Sequence, residues 1–524
     1  MKKIVKTIVH KRYSILVLIS LFLSYGLYRL VEWTSRNFAD LTMDQVIFHI
    51  LVPLEGADTS FMTSVFKEVL TPAFLVVLVA GVLLFIHSKI SVTTYVNLHF
   101  KESGKHYKIP LWSKKIYTRL LVLSCIFLLI FTFDSANKSF ALQSYISDQL
   151  NSSSFIEDHY VDPVGKLTFP EEKRNLIYIF LESMEFTYTS EENQGAFKDD
   201  YIPELLEIAK ENYSFSNTSG YGGYKDAFGT SWTMAAMFSH STGLPLKLPI
   251  QGNSMSEYGV FLPGAISIGD ILKEHGYSNN LLIGSDATFG GRRNFYLQHG
   301  DYDIVDYKRA LEEGMIPDGY SVWWGYEDEK LFSFAKEKLL ELSDKEEPFN
   351  LTMLTADTHH EDGYLGETTE DKFEEQYANV IANSSKQVDD FLSWIKQQDF
   401  YENTTVVIVG DHGTMDVDFL DDIDSYYERT MYNVFVNPTK TADTKILKNR
   451  EFTAFDLFPS TLSSLGGEIE GNKLGLGVDL FSGEKTLLED YGIQVNTELS
   501  RKSLYYTSRF IGGIGADPYQ VPDN

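Results

Sequence analysis

The sequence predicts an α/β domain with a mostly parallel central sheet, preceded by N-terminal transmembrane helices. Two observations predict the sheet domain. Continuous apolar runs, typical of strands that are buried on both faces of a parallel sheet, occur at Asn175–Leu181, Asn280–Ile283, Phe349–Leu354 and Thr404–Val409. Apolar residues at helical spacing lie between these runs, in Ile202–Ala209, Ile266–Glu274 and Phe373–Ile395. Strands that alternate with helices favour a parallel α/β arrangement.

A third observation predicts the membrane anchor, residues 1–135. Three apolar runs lie at about 13–33, 70–87 and 116–133, and each is close to the roughly 20 residues that span a bilayer as a helix. We therefore expect three transmembrane helices. A further apolar run, Val46–Leu54, is too short to span a membrane. The sequence leaves open whether this run dips into the membrane surface.

Basic residues predict the orientation of the anchor. Five precede the first apolar run, and five more, from Lys101 to Lys115, lie between the second and third runs. The loop between the first and second runs is mainly acidic. The positive-inside rule then predicts a cytoplasmic N-terminus. With three spans, we expect a multi-pass protein of the cell membrane whose main domain is extracytoplasmic.

The rest of the chain divides into a juxtamembrane linker or short helix at 136–171, a main outer domain at 172–490 and a C-terminal extension at 491–524. Residues 1–135 carry 15 basic and 8 acidic side chains, so that the remainder holds a net charge of −35 within a total of −28. Such an acidic domain is a poor partner for nucleic acid. The single cysteine, Cys125, lies in the third apolar run, which excludes an intrachain disulfide and a cysteine nucleophile in the outer domain.

Two of the predicted strands end in residues that can bind a metal ion. The first runs directly into Glu182, and the last runs into Asp411 and His412. Ligands bind beyond the carboxyl ends of the strands in open α/β sheets, so we expect these side chains to converge. Two carboxylates and an imidazole suit a divalent cation such as Mn²⁺ or Mg²⁺. The alternative for each residue alone is a helix cap or an ion-paired loop side chain.

A third element is a glycine-rich stretch, Ser219–Gly229, that leads into a good helix former with Thr233 at its start. A helix N-terminus offers free N–H groups and a positive dipole end to an anion. A hydroxyl at that place, bound to a divalent cation, becomes a better nucleophile. The alternative is that Thr233, Ser231 or Thr230 only caps the helix.

Together, Glu182, Thr233 and Asp411-His412 resemble in order and spacing the metal and nucleophile set of the alkaline phosphatase and sulfatase superfamily. The closer resemblance is to its membrane branch, the lipoteichoic acid synthases and the phosphoglycerol transferases that decorate periplasmic glucans. The segments that carry this resemblance, within about 172–481, are Gly229–Met237, Gly252–Met255, Phe261–Ala265, Asn294–Tyr296, Asp357–His360, Phe455–Leu462 and Gly477–Phe481.

The resemblance implies an alkaline phosphatase/sulfatase-like catalytic domain and assigns roles to single residues. It implies that Glu182, Thr233, Asp411 and His412 bind one divalent cation, Mn²⁺ with Mg²⁺ as the alternative, and that Thr233 is the nucleophile. His359 matches a substrate-binding histidine, and His360 is a further candidate for substrate binding. Arg292 matches an arginine that contacts the phosphoglycerol head. His359 follows the Phe349–Leu354 run, so the strand pattern also places it at the active edge, where a histidine can transfer a proton.

The resemblance thus implies transfer of phosphoglycerol from a membrane lipid similar to phosphatidylglycerol to a cell-envelope glycan, through a phospho-threonine intermediate. Sulfatase activity is excluded, because no cysteine and no Pro-x-Arg motif follow the required pattern at Thr233. A phosphoethanolamine transferase, a phosphodiesterase and a non-catalytic envelope scaffold remain as alternatives. The sequence does not identify the acceptor.

Overall fold

The computed structural model describes residues 2–51, 59–90, 94–100, 103–247, 261–421, 423–424 and 426–512. The chain forms two compact units, Met1–Leu41 with Asp58–Gln143, and Thr42–Ala57 with Ser144–Asn524. Of the sequence features noted above, the Gly252–Met255 segment, residues 52–54 of the short apolar run and residues 513–524 of the C-terminal extension lie outside the described residues.

The smaller unit is built on three apolar helices. The stretches that are long and apolar enough to cross a membrane are Arg12–Asn37, Met62–His87 and Lys114–Phe140. Each contains one predicted run and continues beyond it into polar residues. The elements of this unit are the helices Lys2–Asn37, Thr59–Val65, Thr71–Ile90 and Lys114–Phe140, a π-helical turn Phe66–Leu70, and an antiparallel hairpin of Thr94–Phe100 and Lys105–Trp112. A small buried cluster joins the helices, with Val17, Leu21, Ala80, Leu84, Tyr117, Leu121 and Cys125.

The larger unit is built on a six-stranded sheet. Its strands are β1 (Asn175–Leu181), β2 (Ser278–Ile283), β3 (Asp303–Val305), β4 (Phe349–Leu354), β5 (Thr404–Gly410) and β6 (Asn433–Val436). Their order across the sheet is β3-β2-β4-β1-β5-β6, and all neighbours are parallel except β5 and β6. The mostly parallel α/β fold is therefore confirmed. All four predicted runs form strands, because residues buried on both sides of the sheet must be apolar.

Helices cover both the sheet and its edges. In the larger unit they are Met43–Leu51, Leu142–Leu150, Phe155–His159, Pro203–Glu211, Thr233–Thr242, Ile268–Glu274, Arg292–Gln298, Tyr307–Glu312, Asp328–Ser343, Gln376–Ile395, Val417–Leu420, Thr444–Leu447, Ala454–Ser464, Leu487–Tyr491, Gln494–Ser500 and Leu504–Tyr506. Two short antiparallel pairs complete the unit, Leu167–Thr168 with Glu468–Ile469 and Lys473–Leu474 with Gly477–Val478. The predicted helix from Phe373 begins instead at Gln376, because the Phe373 N–H donates to the Asn379 side-chain oxygen, 2.7 Å away.

Candidate active site

The carboxyl ends of β1 and β5, which are neighbours in the sheet, bring three of the predicted site residues together. Glu182 follows β1, and Asp411 with His412 follows β5. Backbone contacts hold the two ends: the Asp411 N–H donates to the Leu181 carbonyl at 3.0 Å. The Glu182 N–H donates to Thr355 Oγ1 at 3.0 Å. These hydrogen bonds therefore hold the site residues firmly at the end of the sheet.

Glu182, Asp411 and His412 form a buried group that could hold a metal ion and is named here the metal group. One possible ligand atom from each residue lies within 4.8 Å of the others. His412 Nε2 is 3.5 Å from a Glu182 oxygen and 3.5 Å from Asp411 Oδ2. Thr233 completes the group, since its Oγ1 lies 3.2 Å from Glu182 Oε2 and 3.3 Å from His412 Nε2. The four residues that the resemblance assigned to one cation thus share one place.

Hydrogen bonds outside the group fix the orientation of these side chains. His412 Nδ1 donates to the Gly413 carbonyl at 2.9 Å, which leaves Nε2 as the coordinating atom. Asp411 Oδ1 accepts the N–H groups of Ser183 and His412 at 2.7 and 2.8 Å. Ser183 has a positive φ of 53°, a sparsely populated conformation for a residue with a side chain. This conformation supports its two contacts, to Asp411 and, through its hydroxyl, to Glu182 Oε1 at 2.8 Å.

Electrostatics favour a cation at this group. Burial and the neighbouring charge of Glu182 raise the pKa of the Asp411 carboxyl to about 8. Burial would lower the pKa of His412, but the charges of Asp411 and Glu182 raise it to about 9. Two buried carboxylates this close repel each other unless a positive charge lies between them.

The donor set fits a divalent metal ion. Among the described residues, Asp411 Oδ2 is a buried oxygen with no hydrogen-bond partner, and it points to the same group as Glu182 and His412. Two carboxylates, one imidazole and one hydroxyl provide mostly hard oxygen ligands, which suit Mn²⁺ or Mg²⁺. A dication would offset the repulsion between the carboxylates and satisfy the unpaired oxygen.

Thr233 lies at the start of a ten-residue helix, Thr233–Thr242, named here the Thr233 helix. The N-cap is Trp232, and its side chain makes no capping hydrogen bond. Thr233 is therefore the first helical residue rather than the cap, and its hydroxyl is directed to Glu182 and His412. Thr230 exchanges hydrogen bonds with Ala227 before the helix. The capping alternative does not describe Thr233, which instead places a hydroxyl at a helix end that attracts anions.

Arg292 is a buried cation beside this group. It is 5 % exposed, and its Nε and one terminal nitrogen donate to the carbonyls of Phe289 and Asp286 at 3.1 and 3.3 Å. Within the described part of the chain no carboxylate forms an ion pair with it, although Glu182 acts on it at longer range. A buried guanidinium without an ion-pair partner is costly unless an anion binds there. This guanidinium is therefore a candidate anion-binding group.

His359 and His360 follow β4 and reach the same edge of the sheet. His359 Nδ1 donates to the His360 carbonyl at 2.7 Å, so that Nε2 is the atom available for proton transfer. Burial lowers the pKa of His359, while the charge of Glu182 acts in the opposite direction. His360 is 3 % exposed and stacks on His359 with ring centroids 4.6 Å apart. His359 thus lies near Glu182 and His412, and His360 packs against His359.

Sequence reasoning missed several residues around the site. Phe289 and Trp324 continue the wall beside Arg292 and His359, with ring centroids 5.4 Å apart for Phe289–Trp324 and 4.7 Å for Trp324–His359. Asp226, whose pKa burial raises to about 6, acts electrostatically on His412. The only signal for Trp324 was a pair of tryptophans in a loop, and for Asp226 an acid in the glycine-rich stretch. Neither pattern indicates a site without the fold.

Comparisons with known proteins agree with this fold. The sequence profile of the Sulfatase family matches residues 174–467. Phosphoglycerol transferase I of Escherichia fergusonii is 32 % identical over 335 residues, which cover 62 % of this chain and 41 % of that protein. The same enzyme of Escherichia coli is 30 % identical over 332 residues, with the same coverage. The chain thus spans about two fifths of the length of these curated relatives.

Two solved structures are also similar. A lipoteichoic acid synthase from Listeria monocytogenes has a TM-score of 0.48 and 18 % identity, over 63 % of this chain and 82 % of that one. An integral membrane lipooligosaccharide phosphoethanolamine transferase from Neisseria meningitidis has a TM-score of 0.47 and 12 % identity, over 87 % and 84 % of the two chains. The family profile covers more than half of the sequence and includes Glu182, Thr233, Asp411 and His412. The chain belongs to the Sulfatase family.

Proposed function

We propose that this protein is a membrane phosphotransferase that moves phosphoglycerol from a lipid similar to phosphatidylglycerol to a cell-envelope glycan, through a phospho-threonine intermediate. The observation that carries the proposal is the place of Thr233, whose Oγ1 is 3.2 Å from Glu182 and 3.3 Å from His412 at a helix N-terminus. The relatives named phosphoglycerol transferase I support the choice of the transferred group.

Glu182, Asp411, His412 and Thr233 would hold the cation, with Mn²⁺ as the first candidate. When bound, it would lower the pKa of the Thr233 hydroxyl and stabilise charge on a phosphoryl oxygen. Arg292 would bind the other phosphoryl oxygens through the N–H groups that the two carbonyls do not use. These contacts orient the phosphodiester towards Thr233.

The reaction would have two halves. In the first, the Thr233 oxygen, whose proton has passed to solvent, bonds to phosphorus while the bond from phosphorus to the lipid oxygen breaks. His359, protonated in the presence of the anionic phosphodiester, gives its proton to that oxygen, and diacylglycerol leaves. In the second, neutral His359 takes the proton of the acceptor hydroxyl, whose oxygen bonds to phosphorus as the bond to Thr233 breaks. The proton that His359 gave up is thereby restored.

Charge favours a glycerol head group over ethanolamine. Arg292 is a buried cation in the first turn of its helix. An ammonium group bound beside it would be repelled, whereas the hydroxyls of glycerol are neutral. We therefore propose phosphatidylglycerol, and not phosphatidylethanolamine, as the donor class.

Three helices that are long and apolar enough to cross a bilayer support membrane insertion of this protein. We propose that it spans the cell membrane three times, with a cytoplasmic N-terminus and an extracytoplasmic catalytic domain. The basic residues before the first helix and between the second and third support this orientation. The donor head group would then be available on the side of the membrane where the site lies.

The test is release of diacylglycerol by the purified full chain in detergent with Mn²⁺. We expect release from phosphatidylglycerol that carries a fluorescent acyl chain, no release by Thr233→Ala, and release near the parent level by the matched control Ser231→Ala. Release from phosphatidylethanolamine instead would overturn the choice of donor. Steady turnover to free glycerol phosphate without an acceptor would indicate a phosphodiesterase. No release from either lipid by a metal-loaded chain would contradict the proposal as a whole.

A further inference from the structure

A helix from the loop between the first two apolar helices belongs to the larger unit, which holds the candidate active site and is named here the catalytic unit. Residues Met43–Leu51 form this helix, named here the loop helix, and they cluster with the larger unit rather than with the apolar helices. Phe48 is 2 % exposed, and its ring lies 5.4 Å from that of Trp232, the residue before Thr233. Gln45 Nε2 contacts Met415 Sδ at 3.5 Å. The loop helix therefore packs beside the Thr233 helix.

Residues 46–51 of the short apolar run lie in this helix. The loop helix has one packed face, with Gln45 and Phe48 both buried, whereas Ile50 is 75 % exposed. Residues four apart lie on one face of a helix, so Gln45 and His49 share a side, and His49 is next to Phe48. The face that carries His49 is directed to the catalytic unit.

His49 lies on the rim of the candidate active site. Its ring centroid is 6.3 Å from that of Phe289, and the Phe289 ring in turn lies 5.6 Å from the guanidinium carbon of Arg292. The Phe289 ring also contacts the ring of Trp324, which in turn contacts the ring of His359. His49 thus continues the row of contacting rings formed by His359, Trp324 and Phe289. The buried guanidinium of Arg292 lies beside the Phe289 ring.

The hydrogen bonding of His49 determines what it can recognise. Its Nδ1 lies 2.9 Å from the Gln45 carbonyl, which can only accept, so Nδ1 carries the proton and Nε2 is an acceptor in the neutral ring. Burial, together with the nearby imidazole of His359, lowers the pKa of His49. A neutral acceptor at this place suits a carbon-borne hydroxyl of a phosphate ester whose phosphate Arg292 binds.

We propose that His49 is a substrate-binding residue of this site, and that its Nε2 accepts a hydrogen bond from a hydroxyl of a polyol. The polyol is either the glycerol of the transferred head group or the acceptor. The inference rests on the proposed function for the identity of the polyol. The position of His49 beside Phe289 and the packing of the loop helix stand independently of it.

The test compares His49→Ala, His49→Gln and the exposed control Ile50→Ala in the full chain with Mn²⁺. Binding of glycerol 1-phosphate and of inorganic phosphate is measured by tryptophan fluorescence, and transfer to added glycerol or methyl glucoside is measured separately. Loss of one hydrogen bond predicts that His49→Ala binds glycerol 1-phosphate about fivefold to tenfold more weakly. Binding of inorganic phosphate, which has no carbon-borne hydroxyl, stays unchanged. Glutamine retains an acceptor and restores most of the affinity.

The outcomes distinguish three roles of His49: binding of the head-group glycerol, binding of the acceptor, and a purely structural role. A selective loss for glycerol 1-phosphate identifies the head-group glycerol as the polyol, and a loss confined to transfer identifies the acceptor. Equal losses for both phosphate ligands, or a lower thermal midpoint than that of Ile50→Ala, would show a structural role and overturn the inference. No change in any arm overturns it as well. The binding assay does not require turnover. Failure of diacylglycerol release would therefore refute the proposed function, whereas the binding test on His49 could still be interpreted.

Discussion

Replacement of Arg292 by methionine separates two effects of the buried charge, its effect on the stability of the fold and its effect on kcat/KM. Arg292 spends two of its five N–H groups on the carbonyls of Phe289 and Asp286, which leaves three for a phosphoryl group. Two charge-assisted hydrogen bonds, at about 1.5 kcal/mol or more each, are worth about 3 kcal/mol or roughly 150-fold in kcat/KM. Methionine replaces the unbranched stem of the side chain with a shorter apolar one and removes the charge.

The stability of the same variant provides the second half of the prediction. Because no ion pair compensates Arg292 among the described residues, its loss relieves a desolvation cost, and we expect the thermal midpoint to stay unchanged or rise. The neighbouring Arg293 is the matched control, since it pairs with Asp306, whose carboxylate is buried. Arg293→Met should lower the midpoint and leave kcat/KM within about threefold, because it strands that carboxylate.

The assays are diacylglycerol release over a range of phosphatidylglycerol concentrations and thermal unfolding in detergent, both with and without Mn²⁺. The reasoning is refuted if Arg292→Met retains kcat/KM within threefold of the parent. It is also refuted if both arginine variants lose activity and stability together, because Arg292 would then be a structural residue.

Three further predictions concern the metal group and its surroundings. Asp411→Asn should weaken Mn²⁺ binding by about tenfold or more in calorimetry, because it removes the charge of a buried oxygen that has no hydrogen-bond partner; unchanged affinity would exclude Asp411 as a ligand. Tyr224→Phe should lower the thermal midpoint, since the Tyr224 hydroxyl shares its one proton between the carbonyls of Gly410 and Asp411, and one such hydrogen bond is worth about 1 kcal/mol; an unchanged midpoint would contradict this. Burial and mutual repulsion raise the pKa of Asp357 to about 9 and burial raises that of Asp328 to about 7. The folded protein therefore holds a proton that the unfolded chain releases, so stability should fall as pH rises from 6 to 9, by at most about 1.4 kcal/mol per pH unit for one proton; Asp357→Asn should flatten this fall, and an unaltered pH profile would speak against it.

The sheet was predictable because its strands are buried on both faces. The run Asn175–Leu181 has the same bounds in the sequence and in the structure, and Glu182 directly follows it. Once two such runs end in acids, the parallel arrangement alone brings their ends to one edge. The metal group could therefore be placed from the pattern before any distance was known.

The loop helix and the aromatic wall could not be predicted in the same way. The run Val46–Leu54 is apolar enough for a membrane surface or for a protein surface, and its sequence does not reveal the contact of Phe48 with Trp232, far away in the chain. Trp324 lies in a loop without periodicity, so that its place beside His359 depends on how the chain folds between β3 and β4. Such residues become visible only when the fold brings distant segments together.

The central claim is a covalent phosphoglycerol group on Thr233, and mass spectrometry tests it most directly. The full chain with Mn²⁺ is mixed with phosphatidylglycerol in the absence of an acceptor, stopped with acid and digested. The account predicts that the peptide that contains Thr233 gains the mass of one phosphoglycerol group, and that this mass disappears when an acceptor is added before the stop. Release of diacylglycerol at the same rate without any adduct on that peptide, or by Thr233→Ala, would contradict it.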